Sequence, residues 1–438
     1  MLQLPSPSLN LNFARRRGGP SDVVGLDVQP GLAAAVKVRV NGSIRAERAV
    51  VKPLDADVIR AGEVVDVEAL SEALRELFAE GGLGKRVRLG IANQRSVMRT
   101  IELPPVTDRK ELAAAVAFQA QDEVPMPLSS AVLDFHPLGV ADTPNGPRQR
   151  VVLVAAQRDM VERLLLAVRE AGLTPVGVDL SAFALIRSLC RIGEGDAERV
   201  LYLNVDGLTN LAIAQGEACR FTRVVGGGVE AMASELATRR GIALREARAL
   251  LASVDLGAPT PGPELRQPQA PVAAPVIEED ASPQTPSALA GADERAEPAS
   301  GDEPAQPPLS REEHEAQEAS MGFLEAMRPA EPPVAEQAPA ASSDDIRLVL
   351  ENGVRELANE IRNSLDFNRA QEHGAEISHV SMSGAALDLP GFVEALQDSL
   401  GMEVRGEAVG LVDETLAREA STHRLSVAAG LATLEVPR

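Results

Sequence analysis

Apolar residues change their spacing several times along the chain, and each change marks an element. Val23-Val-Gly-Leu-Asp-Val28 reads as a short strand, Pro30-Gly31 as a turn, and Val36, Val38 and Val40 share one face of a returning strand. Val67, Leu70, Leu74 and Leu77 recur at helical spacing within 65–80, and Val87–Ile91 reverts to strand. Strand, hairpin, helix and strand predict a first α/β core over residues 22–97.

The pattern restarts near Met98. Thr107 or Asp108 is the expected cap of a helix with Leu112, Val116 and Ala120 as its buried stripe. Val124-Pro-Met-Pro-Leu128 ends that helix, because each proline removes an amide donor and restricts its neighbour. Strands over 131–138 and 150–156 and a helix over 159–171, stopped at Gly172, complete an inserted α+β module spanning 98–175. Residues 176–199 return to the first core. The stretch 200–257 opens with a strand over 200–205, turns at Asp206-Gly207, and returns through 211–214 and 219–225. Gly226 to Gly228 then lead into helices over 229–240 and 244–251. Two strand–turn–strand units joined through glycines are the scaffold expected to hold a phosphate on backbone donors.

Composition shifts abruptly over 258–343. Sixteen of the 31 prolines fall there, acidic side chains greatly outnumber basic ones, and no apolar period is sustained. Such a segment cannot repay an ordering cost of about 1–2 kcal/mol of backbone entropy per residue, which predicts a long disordered acidic insertion, with one denser island over Ser310–Met327. Ser342 and Asp345 fit a capping box for a long helix bearing Ile346, Leu350, Val354, Leu357, Ile361 and Leu365. A strand over 377–382, its exit turn Ser383-Gly-Ala-Ala386, a helix over 391–400 and the small-residue segment Ser426–Ala432 make 344–438 the second part of a second lobe whose first part is 200–257.

Charge narrows the functional classes. A net charge of −21 and a pI near 4.8 oppose nucleic acid and anionic lipid, with Arg15-Arg-Arg17 in the flexible leader 1–21 a local exception. Two cysteines, Cys190 and Cys219, offer neither a disulfide framework nor a thiolate cluster, and the five histidines are scattered without zinc spacing. No apolar run approaches the roughly 18 residues needed to span a bilayer, so membrane association is expected through a partner. With 2% aromatic residues and no Trp, the core must be built from Leu, Val, Ile and Ala.

Phe118-Gln-Ala-Gln-Asp-Glu-Val-Pro-Met-Pro-Leu128, followed by Val132-Leu-Asp-Phe135, is the most specific stretch of the chain. With Val152–Ala156, Gly172-Leu-Thr-Pro175 and Val178–Phe183, it closely resembles the PilM family of type IV pilus assembly proteins, relatives of the division protein FtsA and of actin. The resemblance covers Val23 to Leu434 apart from the acidic insertion. It implies an α/β, two-lobed actin-like ATPase fold with an inserted small α+β subdomain, and ATP with Mg²⁺ as possible cofactors. Asp27, Gly31 and Lys37 map to the first phosphate loop, with Asp27 as the metal carboxylate. Asn204, Asp206, Gly207 and Thr209 map to the second, backed by Gly226 and Gly227, and Gly384 and Ala385 map to the adenosine region.

The chain departs from the family pattern at each loop. Gln29-Pro30-Gly31 replaces a Gly/Ser-rich turn, and no hydroxyl occurs between Asp27 and Lys37. Asn204 stands where an acidic residue is usual, Asp206 where a glycine is, and Ala385 where a second glycine is common. No catalytic base is evident. The resemblance therefore implies a cytoplasmic adapter with weak, structural or lost ATP binding, peripheral at the inner membrane face through its partners. It would bind the cytoplasmic tail of a PilN-like membrane protein, with a pilus motor ATPase and further copies of itself as other partners. The alternatives are an active ATPase driving polymerisation or phosphoryl transfer, and a filament-forming division scaffold. Leu9-Asn-Leu-Asn-Phe-Ala-Arg-Arg-Arg17 reads as part of a disordered leader, with docking in the chain's own or a neighbour's groove as the alternative, since it is similar in composition and order to PilN tails.

Overall fold

The first strand, β1 (Val24–Gln29), is almost wholly buried because it lies inside a sheet, which is why it reads as a near-continuous apolar run. It pairs antiparallel with β2 (Leu32–Val40), which pairs with β3 (Ile44–Pro53). A minimal hairpin, β4 (Ile59–Arg60) and β5 (Glu63–Val64), precedes helix α1 (Val67–Gly81), capped by Asp66, and β6 (Arg86–Ile91) returns parallel to β1. The structure, a computed structural model, describes residues 23–144, 146–191, 198–258, 343–371, 376–413 and 421–434. The leader, residues 259–342 with the Ser310–Met327 island, and the Ser342 cap lie outside them.

A small antiparallel sheet follows, formed by β7 (Ser96–Leu103), β8 (Ala131–Thr143) and β9 (Gly146–Gln157) in the order β7-β9-β8. Helix α2 (Arg109–Glu123) is capped by Asp108, whose carboxylate accepts from the amides of Lys110 and Glu111, and it buries Leu112, Val116 and Ala120 on this sheet. Helix α3 (Arg158–Glu170) packs instead against α1 and joins the larger apolar cluster through Met160, Val161, Leu164 and Val168. Of residues 98–175, only those up to Gln157 stand in the small sheet and its helix. Strand β10 (Thr174–Leu180) pairs with β6, and helix α4 (Ser181–Leu189) follows directly.

A second mixed sheet has the order β13-β12-β11-β14-β15. It comprises β11 (Arg199–Val205), β12 (Thr209–Gln215), β13 (Ala218–Val225), β14 (Ile377–Ser383) and β15 (Val404–Gly406). Helices α5 (Val229–Arg240), α6 (Leu244–Leu251), α7 (Ser343–Gln371) and α8 (Phe392–Leu400) share its apolar cluster. Strand β16 (Gly410–Leu411) crosses back to edge the first sheet beyond β3, whose order is β10-β6-β1-β2-β3-β16.

Helix α9 (Ser426–Leu431) joins the two sheets. With α4 it buries Leu185, Ile186, Val427 and Leu431 against Tyr202, Ala212 and Ala214 of the second sheet. The helices cross so closely that a Cβ on Gly430 would stand 1.8 Å from the carbonyl oxygen of Ala184. Three buried charges sit at this crossing. Arg187 pairs with Asp179 at 2.5 Å and donates to the Gly430 carbonyl, while Arg88 donates to the carbonyls of Leu431 and Thr433. These carbonyls end α9 and would otherwise lack intrahelical donors. Among the described residues no helix is long and apolar enough to cross a membrane.

Candidate functional site

The ends of β1 and β11 meet where the two sheets face each other. Asp27 is buried near the end of β1 and accepts a hydrogen bond from Nε2 of Gln29, two residues on. The turn is Pro30-Gly31, with Gly31 at φ +80°, a conformation that an L side chain rarely adopts. The β11–β12 turn comes against it, so that a Cβ on Gly207 would lie 2.2 Å from the Pro30 carbonyl oxygen.

The other glycines seat the second turn. Thr209 donates its hydroxyl to the Gly227 carbonyl at 3.0 Å, and the Val229 amide donates to the Asp206 carbonyl at 2.9 Å. Gly384, at φ +98°, leaves β14 so close to β11 that a Cβ would stand 2.6 Å from the Val205 carbonyl oxygen. Ala385 then donates its amide to Oδ1 of Asp206 at 3.1 Å, and Ser383 donates to Oδ1 of Asn204 at 3.0 Å. Asp206 therefore ties the second turn to the 384–385 turn.

Lys37 is not part of this cluster. It lies three residues along β2 from Ala34, the partner of Asp27, and pairs with Glu47 at 3.4 Å. Seven residues that the sequence does not assign to the site also stand here. Gln29 is one. Glu230, in the first turn of α5, and Arg248, on α6, form a two-point ion pair directly over Gly31. Asp388 accepts from His423 at 2.8 Å, Arg424 at 2.9 Å and Ser421 at 3.1 Å. The acid two residues after the glycine run was the one sequence signal available, whereas Arg248, Asp388, His423 and Arg424 arrive from elsewhere in the chain.

Burial dominates the electrostatics. It pushes Asp27 up to about 7 against the opposing hydrogen bond from Gln29, with the charge of Asp206 adding to the rise. Burial likewise raises Asp206, against the opposing pull of Arg424, the Ala385 amide, Asn204 and His423. For Asp388 burial is outweighed, and the His423 hydrogen bond and the Arg424 charge hold it below the ordinary carboxylate range.

A family model for "Type IV pilus assembly protein PilM" matches residues 25–258, more than half of the chain, and includes the β1–β2 and β11–β12 turns of the cluster. The chain belongs to the PilM family. That family is part of the actin-like ATPase superfamily. A solved "PilM-PilN type IV pilus biogenesis complex" is similar over 94% of this chain and 98% of that chain, at 20% identity and a TM-score of 0.64. The ethanolamine utilization protein EutJ from Carboxydothermus hydrogenoformans matches 93% of this chain and 88% of its own at 14% identity, with a TM-score of 0.43. MreB5 of Spiroplasma citri bound to ADP matches 93% of this chain and 94% of its own at 10% identity and the same score.

The superfamily implies ATP with Mg²⁺, and this PilM-family site meets only half of that requirement. Oδ1 of Asp27 and Oε1 of Gln29 are buried acceptors without a hydrogen-bond partner, which suits a cation. Donors for phosphate are not presented at the expected positions. Pro30 has no amide hydrogen, the Thr209 hydroxyl and the Val229 and Ala385 amides are already engaged, and Gly31 is roofed by the Glu230–Arg248 pair. Among the described residues no group of three or more His, Cys, Asp or Glu side chains is placed to hold a metal ion. The residues do not fit a metal–triphosphate as a whole.

Proposed function

We propose that this chain is a cytoplasmic adapter of a type IV pilus or related inner-membrane assembly complex, built as two lobes around the cluster described above. It binds the cytoplasmic N-terminal tail of a PilN-like membrane protein and is held at the membrane through that contact. The α2–β7–β8–β9 module supplies the peptide groove and contacts to neighbouring copies, and a pilus motor ATPase is a further partner. Nucleotide binding is weak, structural or lost. The observation that supports this reading most is the family match through 25–258, which spans the module and the β1–β2 and β11–β12 turns, combined with turns whose donors serve the protein itself. The likeness to the PilM–PilN complex adds support for the partner.

Fluorescence anisotropy with a labelled PilN-type tail peptide and the full chain tests the proposal. Saturable binding of similar affinity with and without ATP and Mg²⁺ is expected. No saturable binding refutes the adapter reading, and steady ATP turnover refutes the lost-site reading. The leader carries its own expectation: removing residues 1–17 tightens peptide binding if Leu9–Arg17 competes for the groove, and unchanged affinity rejects that competition.

A further inference from the structure

Four contacts between the two sheets or the segments attached to them lie around the site, and none needs a ligand. The Pro30 carbonyl stands against Gly207, and Gly31 lies beneath the Glu230–Arg248 pair, its absent Cβ 2.8 Å from an Arg248 Nη atom and 2.9 Å from a Glu230 carboxylate oxygen. The Leu208 side chain reaches Gly62 on the β4–β5 turn, with a Cβ there 3.2 Å from Leu208 Cδ1, and the Gln94 carboxamide reaches Gly226, 3.3 Å from its Cβ position. In each case the first sheet or a segment packed beside it touches a turn or helix of the second.

The Glu230–Arg248 pair is built to hold a position. Both nitrogens on one edge of the guanidinium donate to the two carboxylate oxygens, a two-point arrangement that fixes orientation as well as distance. The side chains are only 16% and 28% exposed, so solvent screens the pair less than a surface bridge. Below it, the Gly31 carbonyl accepts from the Leu54 amide at 3.0 Å, which anchors the turn in the first sheet's own framework.

We infer that this chain latches its own cleft: the Glu230–Arg248 pair seated on Gly31, together with the Pro30–Gly207 contact, holds the two halves together where the family's fold implies a bridging metal–phosphate. The latch replaces a ligand-set angle with a sequence-set one. The inference goes beyond the adapter proposal and rests only on its lost-nucleotide clause, since it concerns the closure of the cleft and not the peptide.

Hydrogen exchange on the full chain, read by mass spectrometry with and without ATP and Mg²⁺, tests it. In the wild type, peptides carrying the amides of Leu54, Asp206 and Val229 are protected, and nucleotide leaves that protection unchanged. Arg248→Ala accelerates exchange there by roughly tenfold, the lower end of what a hydrogen bond to a charged group contributes, while α2 peptides exchange as in the wild type. Glu230→Gln, which keeps the side-chain volume and removes the charge, gives a change in the same direction and decides the matter if Arg248→Ala does not fold. Wild-type exchange in Arg248→Ala, or in Glu230→Gln where that variant must decide, overturns the latch, as does added protection of the wild type by ATP and Mg²⁺. Loss of peptide binding in the anisotropy assay would remove the adapter reading and leave these exchange results standing.

Discussion

Replacing Asp179 by Asn is the most informative perturbation of the junction between the two sheets. Asp179 and Arg187 are 2% and 6% exposed, and they face one another at 2.5 Å. The substitution keeps an oxygen for the Leu180 amide, which now bonds Oδ1 at 2.8 Å, and takes away only the charge. What remains is Arg187 and, beside it, Arg88, whose guanidinium burial and then the Arg187 charge already push down to about 10. Removing one partner of a buried pair typically costs about 3–5 kcal/mol, because the surviving charge is left desolvated. Domains of ordinary stability hold about 5–15 kcal/mol in all, so the loss is a large fraction of the whole. Tyr202 packs in this junction, it is the one tyrosine of the chain, and there is no tryptophan, so its emission reports directly on the crossing during urea unfolding. Asp179→Asn should lower the unfolding midpoint by the equivalent of about 3 kcal/mol or more, while Asp179→Leu with Arg187→Met recovers most of it. A loss below about 1 kcal/mol for Asp179→Asn would refute the claim that this pair holds α9 in place.

Gly430→Ala places a methyl group 1.8 Å from the Ala184 carbonyl oxygen, and since backbone must move to admit it, thermal denaturation should show a loss at the upper end of about 1–3 kcal/mol for overpacking. The folded pKa of Asp27 lies near 7, above its ordinary 3.8, so the native state holds a proton that the unfolded chain releases. Stability is then full below about pH 4 for this group and falls by up to about 1.4 kcal/mol per unit as pH rises toward 7; in Asp27→Asn, urea titrations across pH 4–8 should lose that slope. Arg347 donates to the carbonyls of Asp255, Leu256 and Ala258 where the chain leaves the described core, one turn after α7 begins. A short Gly/Ser linker in place of 260–341 should therefore leave the melting temperature within a few degrees of wild type, and Arg347→Ala should lower it in either background.

Much of the frame was readable because its periodicities are strong and its stops are unambiguous. The helices over 229–240 and 244–251 end where the pattern predicts, the first at Gly241 with φ +63°. Strand β3 carries a weak signal because Arg45, Glu47 and Arg48 dilute its apolar face of Ile44, Ala46 and Ala49, and an extra residue at Glu47, set against Lys37–Val38 of β2, breaks its own alternation. The site shows the same division. Asp27, Asn204, Asp206, Gly207, Thr209, Gly226, Gly227, Gly384 and Ala385 are drawn together because each sits at a turn that the strand order brings to one place. Lys37 fell outside because distance along β2, about 3.3 Å per residue, carries it away from the turn. Nothing in the spacing of Arg248 or Arg424 announces which turn each faces, since those contacts depend on how the sheets pack.

The departures at the turns are coupled, and that coupling predicts what repair would do. Asp206 stands where the sequence resemblance implies a glycine, yet its carboxylate now accepts the Ala385 amide and faces Arg424. Asp206→Gly restores the family residue but strands that amide in a buried site, a cost of about 1–3 kcal/mol. It also leaves Pro30 without an amide and the Thr209 hydroxyl committed to Gly227. The expected result is a lower melting temperature with no gain of ATP binding in a calorimetric titration. Should Asp206→Gly acquire Mg²⁺-dependent ATP affinity at unchanged stability, the carboxylate alone was the obstacle, and the self-satisfied turns described here would not be what closes the site.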